Sequence, residues 1–156
     1  MKAWFPWVSL IARLVLGSVM LVAGALKVTD PETAAQAVRA YELLPSSLVQ
    51  PVGWGLPFLE IAIGLLLIVG FGVRASAVAA GVFMIVFIAA VSSAWARGLS
   101  IDCGCFGGGG QVAAGQTKYL QEILRDVGLL ALAVWVWMYP VSKFAVVSEP
   151  QGVTAS

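Results

Sequence analysis

The sequence predicts an all-α membrane protein, in which four transmembrane helices form a bundle and a short amphipathic helix lies in the first loop. Two observations predict this fold class: an unusually apolar composition, and apolar runs that recur at membrane-spanning length. Hydrophobic residues make up 60% of the 156 residues and charged residues 11%, whereas a soluble domain is nearer half apolar and a quarter charged. Lipid therefore has to cover much of the surface.

Four apolar segments are long enough to cross the roughly 30 Å hydrocarbon core as helices. The first three carry at most one charge each, Arg13 in the first and Glu60 in the second. The fourth reaches spanning length only if it takes Arg125 and Asp126 into the membrane. We therefore expect the spans at about 7–26, 52–71, 75–96 and 119–141.

The loop after the first span has the signals of a short helix. Thr29 and Glu32 have the spacing of a capping box, and Pro31 suits a first helical turn. Apolar residues then recur at helical spacing, at Ala34, Ala37, Val38, Tyr41 and Leu44. We expect this helix to lie on the membrane surface, and the alternative is an ordinary loop helix that packs on the bundle. Residues 1–143 then form one transmembrane domain, and 144–156 a polar C-terminal tail.

Charge and residue types narrow the chemistry. The net charge of +1 gives no electrostatic reason to expect a nucleic-acid partner. The sequence contains no His, which removes the usual general base at neutral pH and the commonest metal and haem ligand. The chemistry must therefore rest on Cys, Asp, Glu, Lys, Arg or Tyr, or on a bound cofactor.

The sharpest feature is the pair Cys103 and Cys105, separated by Gly104. A disulfide between them would close a small, strained ring, and strained disulfides exchange easily. A structural disulfide stabilises a protein more when it closes a long loop, so the separation of only two residues between Cys103 and Cys105 favours exchange over a structural role. Two inert thiols remain an alternative. A structural zinc site needs four ligands, and only Asp102 lies close in sequence, so we expect no metal site within one chain.

Four charged residues are expected at neighbouring depths beneath the cysteines. Glu60 lies roughly 12 Å into its span and Arg125 and Asp126 roughly 11 Å into theirs, at the helical rise per residue. Lys27 ends the first span on the same side. Such a cluster either tunes the thiols and binds a cofactor headgroup, or fixes helix register through salt bridges. Arg13 lies far from this side and either snorkels to the opposite interface or pairs within the bundle.

Four spans place both termini on one side of the membrane and the cysteine loop on the other. Positive residues number three on the terminal side and five on the cysteine side, or three on each if Lys27 and Arg125 face the bundle interior. Paired cysteines persist as disulfides mainly in oxidising compartments. We therefore expect the cysteine loop to be extracytoplasmic, on the assumption of a redox role.

Several short motifs along the chain match one family. They are Arg13-x-x-x-Gly17, Gly24-x-x-Lys27, Tyr41-x-x-Leu44-Pro45, Pro57-x-x-Glu60, Cys103-Gly104-Cys105-Phe106-Gly107 and Arg125-Asp126. On these motifs the chain resembles the DoxX-like membrane proteins, and in particular their methylamine-utilisation protein E (MauE) branch. The Cys-Gly-Cys-Phe-Gly run is the most specific of them.

The resemblance implies a four-helix bundle in a bacterial plasma membrane and a role in disulfide formation beside an exported thioredoxin-like partner. Other DoxX-like proteins are associated with quinone-linked oxidation, so the resemblance also implies a membrane quinone as a cofactor. The leading hypothesis is thus a thiol–disulfide oxidoreductase that uses Cys103 and Cys105. Because there is only one cysteine pair, turnover needs a further acceptor, for which membrane quinone is the candidate. Its headgroup would lie at the supporting polar cluster, Lys27, Glu60, Arg125 and Asp126.

Two functions of other classes remain as rivals. A non-catalytic anchor or assembly subunit would recruit a redox enzyme without using its own cysteines. A small-solute carrier would use the intramembrane charges, but it gives no reason for a cysteine loop and ranks last.

Overall fold

The computed structural model describes residues 4–146, which form five helices and a two-stranded hairpin. In chain order these are α1 (Phe5–Val28), α2 (Pro31–Ala40), α3 (Ser46–Val69), α4 (Val73–Ala96), β1 (Ile101–Asp102), β2 (Gly110–Gln111) and α5 (Tyr119–Met138). The mainly helical fold is confirmed. Of the predicted tail, 147–156 lies outside the described residues.

Three of the helices are long and apolar enough to cross a membrane. These are α1, α3 and α4, each of 24 residues. Helix α5 has 20 residues, and Glu122, Arg125 and Asp126 in its first two turns lower its apolar character. The protein is therefore an integral membrane protein with three candidate spans, and the fourth span remains a prediction.

Helix α3 begins at Ser46, six residues before the predicted start of its span. The prediction began at the apolar run after Pro51, but Pro51 and Pro57 both lie inside the helix. Packing against neighbouring helices allows such prolines within membrane helices. The polar first turns of α3 therefore extend the helix out of the apolar segment on the cysteine side.

Helix α2 confirms the predicted short helix but not its predicted cap. Its N-cap is Asp30, whose carboxylate accepts hydrogen bonds from the Thr33 N–H at 3.1 Å and the Thr33 hydroxyl at 2.6 Å. The predicted capping box of Thr29 and Glu32 is therefore wrong, because Asp30, one residue later, supplies the capping oxygens. Pro31 does occupy the first turn.

The buried face of α2 packs on the bundle. It consists of four alanines, Ala34, Ala35, Ala37 and Ala40. The backbone of Ala35 lies so close to Gly53 of α3 that a Cβ at position 53 would come within 2.5 Å of the Ala35 Cα. Of the two interpretations of this helix, the structure supports the one in which it packs against the protein.

Helices α1 and α3 approach each other closely at small residues. A Cβ on Gly17 would lie 2.9 Å from the Gly64 carbonyl oxygen, and one on Gly24 would lie 2.6 Å from that of Pro57. Small residues allow membrane helices to pack backbone against backbone in this way. The main apolar core lies beside this contact and is formed by Leu16, Met20, Ile63, Leu67, Ala80, Phe83, Met84, Leu129 and Ala133.

The cysteines lie between the two strands of the hairpin, in which Ile101 pairs with Gln111 and Asp102 with Gly110. This ladder departs from the predicted all-α fold. It forms because Gly107 and Gly108 take φ values of 73° and 137°, a region that glycine enters without steric cost. The glycine run thus turns the chain back and holds the two thiols against the helices.

Candidate functional site

Hydrogen bonds from three helices hold the cysteine loop in place. The Tyr41 hydroxyl, just after α2, donates to the carbonyl oxygen of Cys103 at 3.4 Å. Arg97, after α4, donates to the carbonyl oxygen of Tyr41. The Tyr119 hydroxyl, at the start of α5, donates to the carbonyl oxygen of Leu99. Tyr41 thus ties the loop directly to the end of α2, Arg97 ties the end of α4 to Tyr41, and Tyr119 ties α5 to the segment just before the loop.

The two thiols are adjacent and largely shielded. Cys103 and Cys105 are free cysteines with 6% and 8% of their surface exposed, and their sulfurs lie 2.7 Å apart. The Cys105 N–H donates to the Cys103 sulfur at 3.3 Å, and the Gly104 N–H donates to the Asp102 carboxylate at 3.1 Å. These bonds fix the tight turn that brings the two sulfurs together.

The surroundings make the two thiols unequal. The hydrogen bond from the Cys103 thiol lowers the pKa of Cys105, and the positive charges of Arg125 and Lys27 lower it further against the opposing effect of burial. That same hydrogen bond, together with burial, raises the pKa of Cys103. Cys105 is therefore the better thiolate of the pair.

Two ion pairs lie close to the thiols, one buried and one in which the Arg125 side chain is partly exposed. Lys27 and Glu60 join α1 to α3 through a contact of 2.6 Å between Nζ and Oε1. Arg125 binds the Oδ1 atom of its neighbour Asp126 through Nη2 at 2.8 Å and Nε at 2.9 Å. Glu60 Oε2 and Asp126 Oδ2 are buried without a hydrogen-bond partner among the described residues. Each pair therefore leaves one carboxylate oxygen available.

A small, mainly apolar cavity brings one thiol close to some of these charges. Its volume is about 30 Å³, and its walls include Glu60, Cys105, Arg125 and Asp126. Glu60 from one ion pair and both members of the other thus meet on the Cys105 side. The cavity has room for about one water molecule, which is the kind of group that satisfies two orphan carboxylate oxygens.

A large apolar cavity lies on the Cys103 side. It has a volume of about 610 Å³, and α2, α3 and α4 form most of its wall. Lys27, Tyr41 and Cys103 contribute to the lining, which is otherwise almost wholly apolar. Cys103 and Cys105 therefore face two cavities of different size and polarity.

Comparison of the chain with known protein families gives one match. Residues 5–139 match the family described as methylamine utilisation protein MauE. The chain belongs to this family. The comparisons with curated proteins and with solved structures gave no match. The MauE match spans α1 to α5 and includes the cysteine loop, whereas the broader DoxX-like resemblance remains a prediction.

In this MauE-family chain, the residues predicted from sequence meet in one place. Cys103 and Lys27 line the large cavity, and Cys105 lines the small cavity together with Glu60, Arg125 and Asp126. The cluster forms interhelical and local ion pairs and also borders the cavities, so the two sequence interpretations of it are compatible.

Sequence reasoning did not assign a role to three further residues at the site. Tyr41 holds the Cys103 carbonyl. Phe106 lies beneath the Arg125 guanidinium, with 5.0 Å between Cζ and the ring centroid. A carboxylate oxygen of Glu122 lies within 4.8 Å of the Cys103 sulfur. Glu122 stands one turn before Arg125 and Asp126, and that helical spacing was the signal that could have identified it.

Proposed function

We propose that this protein is a membrane thiol–disulfide oxidoreductase whose Cys103–Cys105 pair exchanges electrons with an exported thioredoxin-fold protein. The observation that carries the proposal is the contact of 2.7 Å between two free, unequally activated sulfurs. Two sulfurs this close form a disulfide after small side-chain rotations, because the S–S bond is about 2.05 Å long.

The inequality of the thiols assigns them different parts in exchange. A thiolate of the reduced partner attacks the Cys103 sulfur of the disulfide, the S–S bond breaks, and Cys105 leaves as a thiolate. A leaving sulfur with a lowered pKa leaves faster, and Arg125 stabilises its charge. The partner's second thiolate then displaces Cys103, so that the partner is oxidised and this protein holds the dithiol.

Burial of both sulfurs requires the loop to open during exchange. Cys103 and Cys105 are 6% and 8% exposed, whereas Phe106 beside them is 43% exposed. We propose that docking of the partner displaces the turn that carries Phe106 and uncovers Cys103. The glycines from Gly107 to Gly110 provide the backbone freedom for this movement.

We propose a membrane quinone as the acceptor that restores the disulfide. Two thiols and one quinone give one disulfide and one quinol, so electrons and protons balance. The ring was predicted to lie among Lys27, Glu60, Arg125 and Asp126, but the cavity that Glu60, Arg125 and Asp126 line offers only about 30 Å³. The cavity of about 610 Å³ has Lys27 and Cys103 in its wall and lies in the size range of small-molecule sites. We therefore place the ring there, next to Lys27.

The location follows from the same proposal. With α5 as a fourth span, both termini lie on one side of a bacterial plasma membrane and the cysteine loop lies on the outer side. Intact cells are reduced and mixed with the exported partner, whose docking uncovers the thiols. A membrane-impermeant alkylating reagent should then label the cysteines. Labelling by a permeant reagent alone would contradict an outward loop.

Trapping of the mixed disulfide tests the exchange. In the Cys105→Ser variant, Cys103 is first converted to its mixed disulfide with thionitrobenzoate. The thiolate of a thioredoxin-fold protein that lacks its resolving cysteine should then displace thionitrobenzoate and give a stable complex through Cys103. The Cys103→Ser variant should give at least tenfold less, because Cys105 is the leaving sulfur. The reverse order would overturn the assignment, and no complex with either variant would overturn exchange itself.

One observation favours a second function, that of a non-catalytic anchor for a redox enzyme. Both sulfurs are buried, as in cysteines that serve only for packing. Replacement of both cysteines by Ser separates the two functions. An anchor retains its partner on purification and still supports that partner's activity, whereas an exchange protein loses the activity.

A further inference from the structure

We infer that the reduced protein binds one divalent cation of the zinc class through Cys103, Cys105, Asp102 and Glu122. The sequence offered only three of these donors within one loop, and for that reason no metal site was expected within one chain. Helix α5 brings Glu122 to the loop and supplies the fourth donor. This site goes beyond thiol exchange and does not depend on it.

The donor atoms are already gathered. Three potential ligand atoms lie within 4.8 Å of one another: the Cys103 sulfur and one carboxylate oxygen from each of Asp102 and Glu122. The Cys105 sulfur lies 2.7 Å from that of Cys103. Tetrahedral zinc with Zn–S bonds of about 2.3 Å holds two sulfurs about 3.8 Å apart. Binding thus requires the sulfurs to separate by about 1 Å, which rotations about the side-chain bonds provide.

A second observation points to a ligand at this place. Glu122 Oε2 is buried and has no hydrogen-bond partner within residues 4–146. A buried carboxylate oxygen is costly unless it is paired with a donor or a cation. Asp102, by contrast, is exposed, and its Oδ1 atom accepts the Gly104 N–H. The site therefore has an inner carboxylate with one unpartnered oxygen and an outer carboxylate that is open to incoming metal.

The donor types select the metal class. Thiolates bind zinc-like cations far better than magnesium or calcium, which prefer six or more oxygen ligands. Two thiolates and two carboxylates around a dication leave a net charge of about −2. Lys27 and Arg125, whose charges already act on Cys105, offset part of this charge.

Metal binding and disulfide formation exclude each other at this site. A bound cation holds both sulfurs as thiolates and occupies the electrons that an S–S bond would use. Zinc-class metals should therefore keep the reduced protein out of the exchange cycle until a stronger chelator removes them. The site is thus a point of regulation for the thiol pair.

Cadmium provides a direct probe, because its thiolate complexes absorb in the ultraviolet. The full-length protein is reduced in lipid nanodiscs without oxygen and titrated with Cd²⁺, and Zn²⁺ is then added as a competitor. We expect one Cd²⁺ per chain, with a charge-transfer band that Zn²⁺ removes. Glu122→Gln and Asp102→Asn should each weaken binding about tenfold or more.

Glu32→Gln is the matched control, since Glu32 is an exposed carboxylate on α2. It should bind Cd²⁺ as the wild type does. The inference is overturned if no charge-transfer band forms, or if both carboxylate variants bind as tightly as the control. Asp102→Asn changes an exposed side chain and keeps the test valid if Glu122→Gln does not fold. Because no partner protein takes part, this result is independent of the exchange test.

Discussion

The two ends of the bundle each bury a cation, but they satisfy it differently. At the cysteine end, Lys27 binds Glu60 at 2.6 Å, and the second oxygen of that carboxylate remains unpaired. At the opposite end, Arg13 is 1% exposed and donates to the Ser142 hydroxyl at 2.7 Å. Of the two sequence interpretations of Arg13, pairing within the bundle is the one observed.

The difference separates a structural polar contact from one with remaining capacity. Arg13 forms no ion pair with any residue that the structure describes, and it packs against Gly70, where a Cβ would come within 2.5 Å of its Nη1 atom. Its Nε atom is also buried without a hydrogen-bond partner among the described residues, but Arg13 borders neither of the two cavities described above. The Lys27–Glu60 pair borders cavities instead, and its orphan oxygen lies on the same side as the thiols. We expect perturbations at the two ends to differ accordingly.

The largest effect is expected from Lys27→Met. The change leaves the Glu60 carboxylate buried without its cation, and breaking a buried pair in this way costs about 3–5 kcal/mol. The double variant Lys27→Met/Glu60→Gln should recover most of the loss, because no buried charge is then stranded. Unfolding in mixed detergent measures both values. Equal losses in the single and double variants would show that the pair is not a buried ion pair.

A smaller loss is expected where the loop rests on α2. Gly104 has φ of 70°, and a Cβ there would lie 2.6 Å from the Ala37 Cβ. Gly98 has φ of 69° and open space around it. Both Ala variants bear the cost of a left-handed backbone, about 1–2 kcal/mol, but only Gly104→Ala adds a clash.

We therefore expect Gly104→Ala to lower the free energy of unfolding by about 1–3 kcal/mol more than Gly98→Ala does. The thiols of Gly104→Ala should also alkylate faster, since the loop loses its contact with α2. Unfolding and alkylation rates measure the two effects. Equal behaviour of the two variants would mean that the loop does not rest on Ala37.

Arg125→Gln tests the electrostatic coupling at the cysteine end. The positive charge of Arg125 lowers the pKa of Cys105, so its removal raises that pKa and reduces the thiolate fraction at neutral pH. The alkylation rate of Cys105 at pH 7 should fall severalfold, and the midpoint of its pH profile should move to higher pH. Arg39→Gln, an exposed change on α2, should leave the profile unmoved. An unchanged profile in Arg125→Gln would contradict the assignment of Cys105 as the activated sulfur.

The smallest effect is expected at the opposite end. Arg13→Met removes one hydrogen bond to Ser142 and strands no carboxylate, so it should cost about 1 kcal/mol. Thiol alkylation should stay at the wild-type rate. A loss as large as that of Lys27→Met, measured in the same unfolding experiment, would remove the distinction between the two ends.

The helices were predictable because each apolar run is a local property of the chain. Helical rise alone predicts neighbouring depths for Lys27, Glu60, Arg125 and Asp126, and in the structure Lys27 contacts Glu60, while Glu60, Arg125 and Asp126 line one cavity. The start of α3 was not predictable from the apolar run, because its first turns, before Pro51, are polar.

Contacts between distant segments could not be obtained in this way. The choice of Asp30 over Thr29 as the cap of α2 depends on the direction in which the chain leaves α1. The approach of Glu122 to the cysteines depends on the rotation of α5 about its axis, which hydropathy leaves undefined. The separation of the two thiols into different cavities likewise depends on how α2 packs over α3.

The interlocked glycines of α1 and α3 have a mechanical consequence. Because Gly17 faces the Gly64 carbonyl and Gly24 faces that of Pro57, the two backbones approach closely at two levels, and a larger residue at either glycine would push them apart. We expect this close contact to make α1 and α3 move together. We expect the larger relative movements of helices to occur between α3 and α4, where the large cavity lies. A hydrophobic molecule diffusing in the plane of the bilayer would thus be excluded from the α1 side of α3 and could enter the cavity from the α4 side.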